Sequence, residues 1–324
     1  MVSATGVTSM AIPIEQIIAA SYPAVLTAMR KPANQWSQTS LMRAMEEVKM
    51  IRRKPFGPTL EETLDYRMNP NAAFLATDMT DLVLDKTEVL TAASFAVGEL
   101  AVPIVWSEGD DVKNPTENQK VALVESLLEN GINTHDDKIE QALFGTVTNK
   151  FLGFQNVLPD DGQGTPGGVD AAVETWWRNP VGTYLDDGSD IEAAIGTAFD
   201  AASKGSGSSL KPNLLFTGAA AYGIYMSSLQ SLQRFINAKE ADAGFVQIAF
   251  RTAAFVFSQY GNTRIYGVNS KSFHLDISKD ANRKLLEKQM IPTKVAWNRK
   301  IYSALQLTTN NKSRGFVLTQ TVAP

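Results

Sequence analysis

The chain has 324 residues, 44% apolar and 20% charged, which supplies a sizeable core for one large domain or two smaller ones. Its net charge of -4 excludes a general basic surface of the kind that holds nucleic acid by neutralising phosphates. The absence of cysteine excludes disulfides, thiolate metal sites and cysteine nucleophiles. Met1 to Met10 lack the regions of a signal peptide, and no apolar run of about 18 residues occurs, so a soluble protein made in the cytoplasm is expected.

Residues 12–30, "IPIEQIIAASYPAVLTAMR", and 40–50, "SLMRAMEEVKM", have helical character, and Pro23 is expected to kink or end the first piece. The polar "KPANQWSQT" separates them, giving an arm of short helices joined by extended chain. From Ile51 to Trp106 the pattern changes to strands. Leu60, Glu62, Leu64, Tyr66 and Met68 fall on one face and Thr59, Glu61, Thr63, Asp65 and Arg67 on the other. A charged middle, "TDMTDLVLDKTEV", leads to a second β-rich run, "SFAVGELAVPIVW". This is a two-stranded excursion, which is marginal in water unless it lies on something else.

A helix-start signal follows, with Asn114 as N-cap, Pro115 at the first helical position and Glu117 three residues after the cap. Val121, Val124, Leu128, Ile132, Ile139 and Leu143 then predict a long helix with a disturbance at Asn130 and Gly131. A turn-rich stretch, "PDDGQGTPGG", precedes a second helix capped at Ser189, with Glu192 in the capping-box position. The apolar face of that helix is Ile191, Ala194, Ile195, Ala198, Phe199 and Ala202. "NLLFTG" reads as a buried strand and "AAAYGIYMSSLQSLQRF" as a helix. "GFVQIAF", "AAFVFS", "TRIYGVN", "SFHLDI", "KIYSALQLTT" and "GFVLTQ" read as strands. Helices and strands interleave without a regular βαβ repeat, so the fold class is α+β.

Candidate chemistry is sparse. "GQGTPGG", Gly162 to Gly168, matches G-x-G-x-x-G with Asp186 at about the distance of a ribose-binding carboxylate, but it follows "LPDD" instead of a buried strand, so a loop is expected. "KGSGSS", Lys204 to Ser209, has the wrong spacing for a nucleophile elbow. His135 and His274 are the only histidines and are read as surface or structural. The doublets Glu61/Glu62, Asp110/Asp111, Asp136/Asp137, Asp160/Asp161 and Asp186/Asp187 read as solvated charge, because neighbours in sequence point in different directions. In "ETWWRN", Glu174 to Asn179, one or both rings are expected to be buried against the second capped helix or a neighbouring subunit. The alternative is a stacking platform for bases or sugars. "MIRRKP", Met50 to Pro55, is a basic cluster that either touches nucleic acid or pairs with acidic groups such as those of a neighbouring chain. No catalytic, cofactor-binding or metal-binding residue is proposed, and no cofactor.

The order of these parts resembles the tailed-bacteriophage major capsid proteins with the HK97-like fold. "KPFGPTLEETLDYRMNPNAAFLATD", "TEVLTAASF", "ELAVPIVWSEGDDVKNPTENQKVALV" and "LFG" look like the extended loop and spine helix of one branch of that family. "TPGGVDAAVETWWRN" looks like the opening of its axial domain. "NLLFTGAAAYGIYMSSLQSLQRF" and "GFVQIAFRTAAFVFSQYGNTRIYGVNSKSFHLDI" are similar to the axial-domain helix and strands, and "SALQLTTNNKSRGFVLT" has the form of the closing strand, turn and strand. The resemblance runs from about residue 50 to the end.

The resemblance implies an N-terminal arm (1–49), an extended β-hairpin E-loop (50–110) and a peripheral P-domain with the spine helix (111–160). An axial A-domain (161–276) and a return to the peripheral domain with closing strands (277–324) complete it. It implies a structural protein, not an enzyme, that forms hexamers and pentamers closing around double-stranded DNA in a virion after assembly in the host cytoplasm. The partners implied are other copies of the chain, a portal protein, a decoration protein and packaged DNA held by weak non-specific contact, with no membrane. A separate scaffolding protein is expected, because the stretch before the loop lacks a long charged segment. The loop strand Thr59 to Met68 is expected to pack one face on another chain, with hinges at Pro55, Gly57 and Pro58. Some relatives form covalent Lys to Asn bonds; Lys54 or Lys86 with Asn310 or Asn311 offer the groups, and crosslinking is not expected. An encapsulin, a nanocompartment shell of the same fold, is the alternative. A monomeric ligand-binding protein or enzyme centred on "GQGTPGG" and "TWWRN" is the rival from another class.

Overall fold

The structure is a computed structural model that describes residues 14–29, 40–66, 69, 71–74, 85, 87–114, 116–145, 150–204, 210–229 and 248–323. In chain order the elements begin with α1 (Ile14–Met29), α2 (Ser40–Glu47), β1 (Ile51–Lys54), β2 (Thr59–Asp65), β3 (Leu90–Ala96) and β4 (Gly98–Ser107). Next come α3 (Glu108–Lys113), α4 (Glu117–Phe144), α5 (Phe154–Val157), β5 (Val181–Leu185), α6 (Ile191–Ala202), β6 (Leu214–Gly218) and α7 (Ala219–Ser228). The last are β7 (Ile248–Phe250), β8 (Ala253–Ser258), β9 (Ile265–Val268), β10 (Phe273–Ser278), β11 (Lys284–Leu285), β12 (Gln289–Met290), β13 (Ala296–Thr309) and β14 (Phe316–Thr321). The chain divides into two compact units, and both α4 and β13 contribute residues to each.

The first unit comprises Met1–Ser40, Glu99–Glu140 and Asp280–Ala304. Its core joins Ile14, Ile17, Ile18, Tyr22 and Val25 of α1 to Val102, Ile104 and Trp106 of β4, Val124, Leu128 and Ile132 of α4, and Ile301 of β13. Apolar residues on both sides of Pro23 enter this core, and α1 continues through the proline instead of ending there. The packed face outweighs the ~3 kcal/mol that an interior proline costs a helix. The long helix differs from its sequence reading in two respects. Asn114 does not open it but closes α3, whose N-cap Ser107 forms a capping box with Asp110. Asn114 donates from Nδ2 to the Asp110 carbonyl at 2.8 Å. Helix α4 then runs unbroken for 28 residues across Asn130 and Gly131. Gly131 is buried where a Cβ would stand 3.2 Å from Ile301 Cδ1 and 3.3 Å from Ile104 Cδ1, so it permits close packing and marks no break.

The second unit comprises Leu41–Gly98, Gln141–Lys279 and Leu305–Pro324. Its mixed sheet has the order β5-β14-β9-β6-β8-β7, with β5/β14 and β6/β8 parallel and the other pairs antiparallel. All five residues of β6 are buried, as a strand covered on both faces requires. One face packs Leu215 and Phe255 against Ile195 and Phe199 of α6 and Tyr222 and Tyr225 of α7. The other places Phe216 and Tyr266 against Phe144 and Phe154, with ring centroids 4.2 to 6.4 Å apart. The apolar face predicted for α6 is the buried one, but its N-cap is Asp190, one residue beyond Ser189, with Asp190 Oδ1 accepting from Leu185 N at 2.8 Å. Strand β10 pairs with β1 in parallel and with the second half of β13 antiparallel, and β2 and β3 form a separate hairpin.

Candidate functional site

The β2–β3 hairpin belongs to neither of the two larger sheets and needs a seat of its own. Strands β2 and β3 pair antiparallel from Thr59↔Ala96 to Asp65↔Leu90. Alternation turns Leu60, Glu62 and Leu64 inward and leaves Thr59, Glu61, Thr63 and Asp65 exposed. The inward face does not wait for another chain. Leu60, Leu64, Ala93 and Phe95 form one cluster with Ala171 and Trp177 of the same chain. Trp177 is fully buried and donates from Nε1 to the Pro166 carbonyl at 3.3 Å. Trp176 stacks on Tyr66 with centroids 5.2 Å apart. The expectation of burial holds for Trp177 while Trp176 stays half-buried, and the surface that buries Trp177 is the hairpin, not α6. Sequence alternation identifies a face without identifying its occupant, and one ring of the pair had to meet that face.

The glycine-rich segment shapes this seat. Gly162, Gly164, Gly167 and Gly168 all have positive φ. A Cβ on Gly167 would stand 2.6 Å from Ala93 Cβ and 3.0 Å from the Phe95 ring, so only glycine lets the segment approach β3. The glycines lead into a three-residue 3-10 turn, Pro166–Gly168, and not into the phosphate-binding helix that a nucleotide site needs. Lys312 fixes the same loop. Its side chain is fully buried, its Nζ donates to the carbonyls of Gly162, at 3.3 Å, and Gln163, and burial pushes its pKa down to about 8. Nothing in its sequence surroundings marked Lys312 for this position. Of "KGSGSS", residues 205–209 lie outside the described residues.

At the hairpin base, the basic cluster pairs with acids of its own chain. Arg52 donates from Nε to Asp276 Oδ1 at 2.7 Å and pairs with Glu62. Lys54 sits 3.0 Å from both Glu62 and Asp276. Arg53 reaches Glu46 at 3.3 Å. Thr308 donates to Asp276 Oδ2 at 2.8 Å. Burial alone would raise the Asp276 pKa, but hydrogen bonds from Arg52 and Thr308 and the charge of Arg52 hold it below the usual carboxylate range. His274 is shifted down, first by burial and then by Arg52. One basic strand segment therefore clamps the hairpin through Glu62 and the sheet through Asp276. Of the groups named for a covalent bond, Lys54 is held in these ion pairs, Asn311 Oδ1 accepts from Ser313, and Lys86 lies outside the described residues.

His135 is buried, as a structural histidine should be, with Nε2 2.8 Å from Ser303 Oγ and Nδ1 3.0 Å from Asp136. Arg283 pairs with Asp136 at 2.5 Å and donates its backbone N–H to Ser303 Oγ at 2.7 Å. Burial raises the Asp136 pKa, yet His135 and Arg283 hold it below the usual range. The order Asp, His, Ser has the connectivity of a hydrolytic triad, but Ser303 is 1% exposed and its oxygen is already engaged, so the cluster ties α4 to β13 without offering a nucleophile to a substrate. The carboxylate doublets are not all solvated charge: Asp110 caps α3 and Asp161 and Asp187 accept nearby backbone N–H groups, but Glu62 and Asp136 are held in the ion pairs described above and Asp160 takes Arg264 at 2.6 Å, because their bases arrive from other elements. Among the described residues, no group of three or more His, Cys, Asp or Glu is arranged to hold a metal, and no helix is long and apolar enough to cross a membrane.

No family model and no curated protein matches the sequence. Solved structures do match. The capsid asymmetric unit of cyanophage A-1(L) is similar with a TM-score of 0.59 and 12% identity, over 87% of this chain and 92% of that one. The capsid of Myoviridae phage XM1 gives 0.53 and 14% over the same shares. The SrpI encapsulin complex from Synechococcus elongatus gives 0.51 and 10%, over 87% of this chain and 89% of that one. At these identities the likeness is one of fold: the chain has the α+β architecture of capsid shell proteins, those of tailed phages among them.

Proposed function

We propose that this chain is the major capsid protein of a tailed bacteriophage, a structural subunit that associates with its own copies as hexamers and pentamers around double-stranded DNA. The observation that carries this reading is the likeness to capsid shells over most of both chains. On this reading the β2–β3 hairpin is the E-loop within 50–110 and α4 is the spine helix of a peripheral domain at 111–160. The axial domain is 161–276, and 277–324 returns to the peripheral domain.

Shell formation needs no reacting group. It needs many modest contacts, each weak enough to dissociate when misplaced and jointly strong enough to close. A hairpin held at its base by ion pairs and by Trp177 is a rigid arm for such contacts. A net charge of -4 suits an inner wall that does not stick to a genome already neutralised by counterions. A separate scaffolding protein, a portal and a decoration protein complete the partners of this reading.

Sedimentation velocity on the chain expressed alone and with its genomic neighbours tests the reading. Fast-sedimenting capsomers or shells support it, and a single monomer boundary in every combination overturns it. The encapsulin match favours a second reading, a nanocompartment shell. Particle contents decide: DNA supports the phage shell, and an enclosed enzyme supports the compartment.

A further inference from the structure

Three connections of the second unit meet at the turn between β9 and β10: the stretch before β6 (210–213), that turn itself (269–272) and the turn between β13 and β14 (310–315). Side-chain amides lock them together. Asn269 Nδ2 donates to the Lys211 carbonyl at 2.6 Å, and Asn269 Oδ1 accepts from Lys271 N at 2.8 Å. Ser270 N donates to Asn213 Oδ1 at 2.9 Å, and Asn213 Nδ2 donates to Ser270 Oγ at 2.8 Å. From the third connection, Asn310 N donates to the Ser272 carbonyl at 3.0 Å and Arg314 Nη1 to Ser272 Oγ at 3.4 Å. Lys211, Lys271 and Arg314 are thus carried on one fixed backbone platform.

The platform holds base without acid. Its connections contain Lys211, Lys271, Lys312 and Arg314 but no Asp or Glu. Lys312 turns away to the Gly162 and Gln163 carbonyls and faces Asp161. Asp276, farther along β10, is taken by Arg52, Lys54 and Thr308. Among the described residues, Lys211, Lys271 and Arg314 have no ionic partner. One donor of the cluster is moreover unmet: Arg314 Nε is buried and no acceptor faces it. A buried N–H without an acceptor is costly, and native structures answer such groups with protein, water or an ion. A guanidinium has five donors and no acceptor, so what answers it is an acceptor, and an anion does so most strongly.

We infer that this cluster is a binding site for a phosphoryl group, either free phosphate or the terminal phosphate of a small molecule. Arg314 and the buried Ser272 hydroxyl meet its oxygens, and Lys211 and Lys271 supply charge from the flanking connections. Three cations without a carboxylate match a dianion better than a single carboxylate. The group is a terminal one because Arg314 Nε is buried: a duplex backbone, flanked by sugars on both sides, does not turn an oxygen in to such a donor. The site uses contacts within one chain, so it stands independently of the shell reading.

Equilibrium dialysis of the full chain against radiolabelled inorganic phosphate, at constant ionic strength in chloride, tests it. The expected result is saturable binding of one phosphate per chain, weakened at least tenfold by Arg314→Gln and by K211Q/K271Q. The pair K279Q/K284Q removes the same charge elsewhere and is expected to leave binding unchanged. Circular dichroism reports whether each variant folds. If Arg314→Gln does not, K211Q/K271Q, at an exposed and a half-buried position, carries the same expectation. Glycerol 3-phosphate as a competitor distinguishes the sources: whichever of the two binds tighter is the ligand class, and either order supports the site. Uptake that does not saturate, binding that neither variant weakens, equal loss in K279Q/K284Q, or displacement of phosphate by a short DNA duplex overturns the inference.

Discussion

Trp177 is the residue on which the hairpin's position turns. It is fully buried among Leu60, Leu64, Ala93 and Phe95, so truncation leaves a cavity that flanking strands of a two-stranded ribbon fill poorly. Trp177→Ala is expected to cost about 3–5 kcal/mol, read as a lower urea midpoint. His274 and Asp276 both contribute to the pH response. The folded pKa of His274 lies below its ordinary value, so the unfolded chain takes up this proton first. Its share of stability is complete above about pH 6.5 and is lost as pH falls below that. Asp276 is also depressed, and its share is complete above about pH 4 and lost as pH falls through the folded value. His274→Gln should flatten the stability profile as pH falls below about 6.5, measured as urea midpoints on either side of that value. Asp276→Asn should lower stability already at pH 7, by about 3–5 kcal/mol, because Arg52 and Lys54 lose a buried carboxylate.

Helix α4 shows what an element asks of one glycine. Gly131→Ala gains about 1 kcal/mol of helix propensity but brings a Cβ to within 3.2 Å of Ile301, so the two effects should nearly cancel. Gly131→Val adds bulk with nowhere to go and should cost about 1–3 kcal/mol in the same unfolding measurement. The element scale is also where the sequence was most and least readable. Buried strands such as β6 and β8, and the apolar face of α6, followed directly from runs and periodicity. The end of β4 did not. "SEGD" carries a capping-box pattern at Ser107 and Asp110 that opens α3, so Asn114 closes that short helix and does not open the long one. Pro23 does not end α1: its local cost is visible in sequence, and the compensating core of Ile17, Ile18, Tyr22 and Val25 is not. The hairpin's alternation was legible, but Ala171 and Trp177 come to it from more than 70 positions along the chain, and no local pattern reports that. Lys312 and the Asp136–Arg283 pair are of the same kind: their chemistry is set by partners distant in sequence.

For the whole molecule, the order of parts was more informative than any motif. Arm, hairpin, long helix, mixed sheet and closing strands each admit many readings, yet in that sequence they match capsid shells along most of the chain despite 9 to 14% identity. Among the described residues, motifs that suggested chemistry serve structure: glycines that admit Ala93 and Phe95, a tryptophan that seats a hairpin, a histidine that bridges α4 and β13. On the shell reading proposed above, exposed surface is what copies of the chain would share. Electron microscopy of the particles formed by the chain with its genomic neighbours, analysed for rotational symmetry, tests this most directly. The account predicts closed shells in which rings of six surround vertices of five. A monomer that forms no ring, tube or shell under any condition would contradict it.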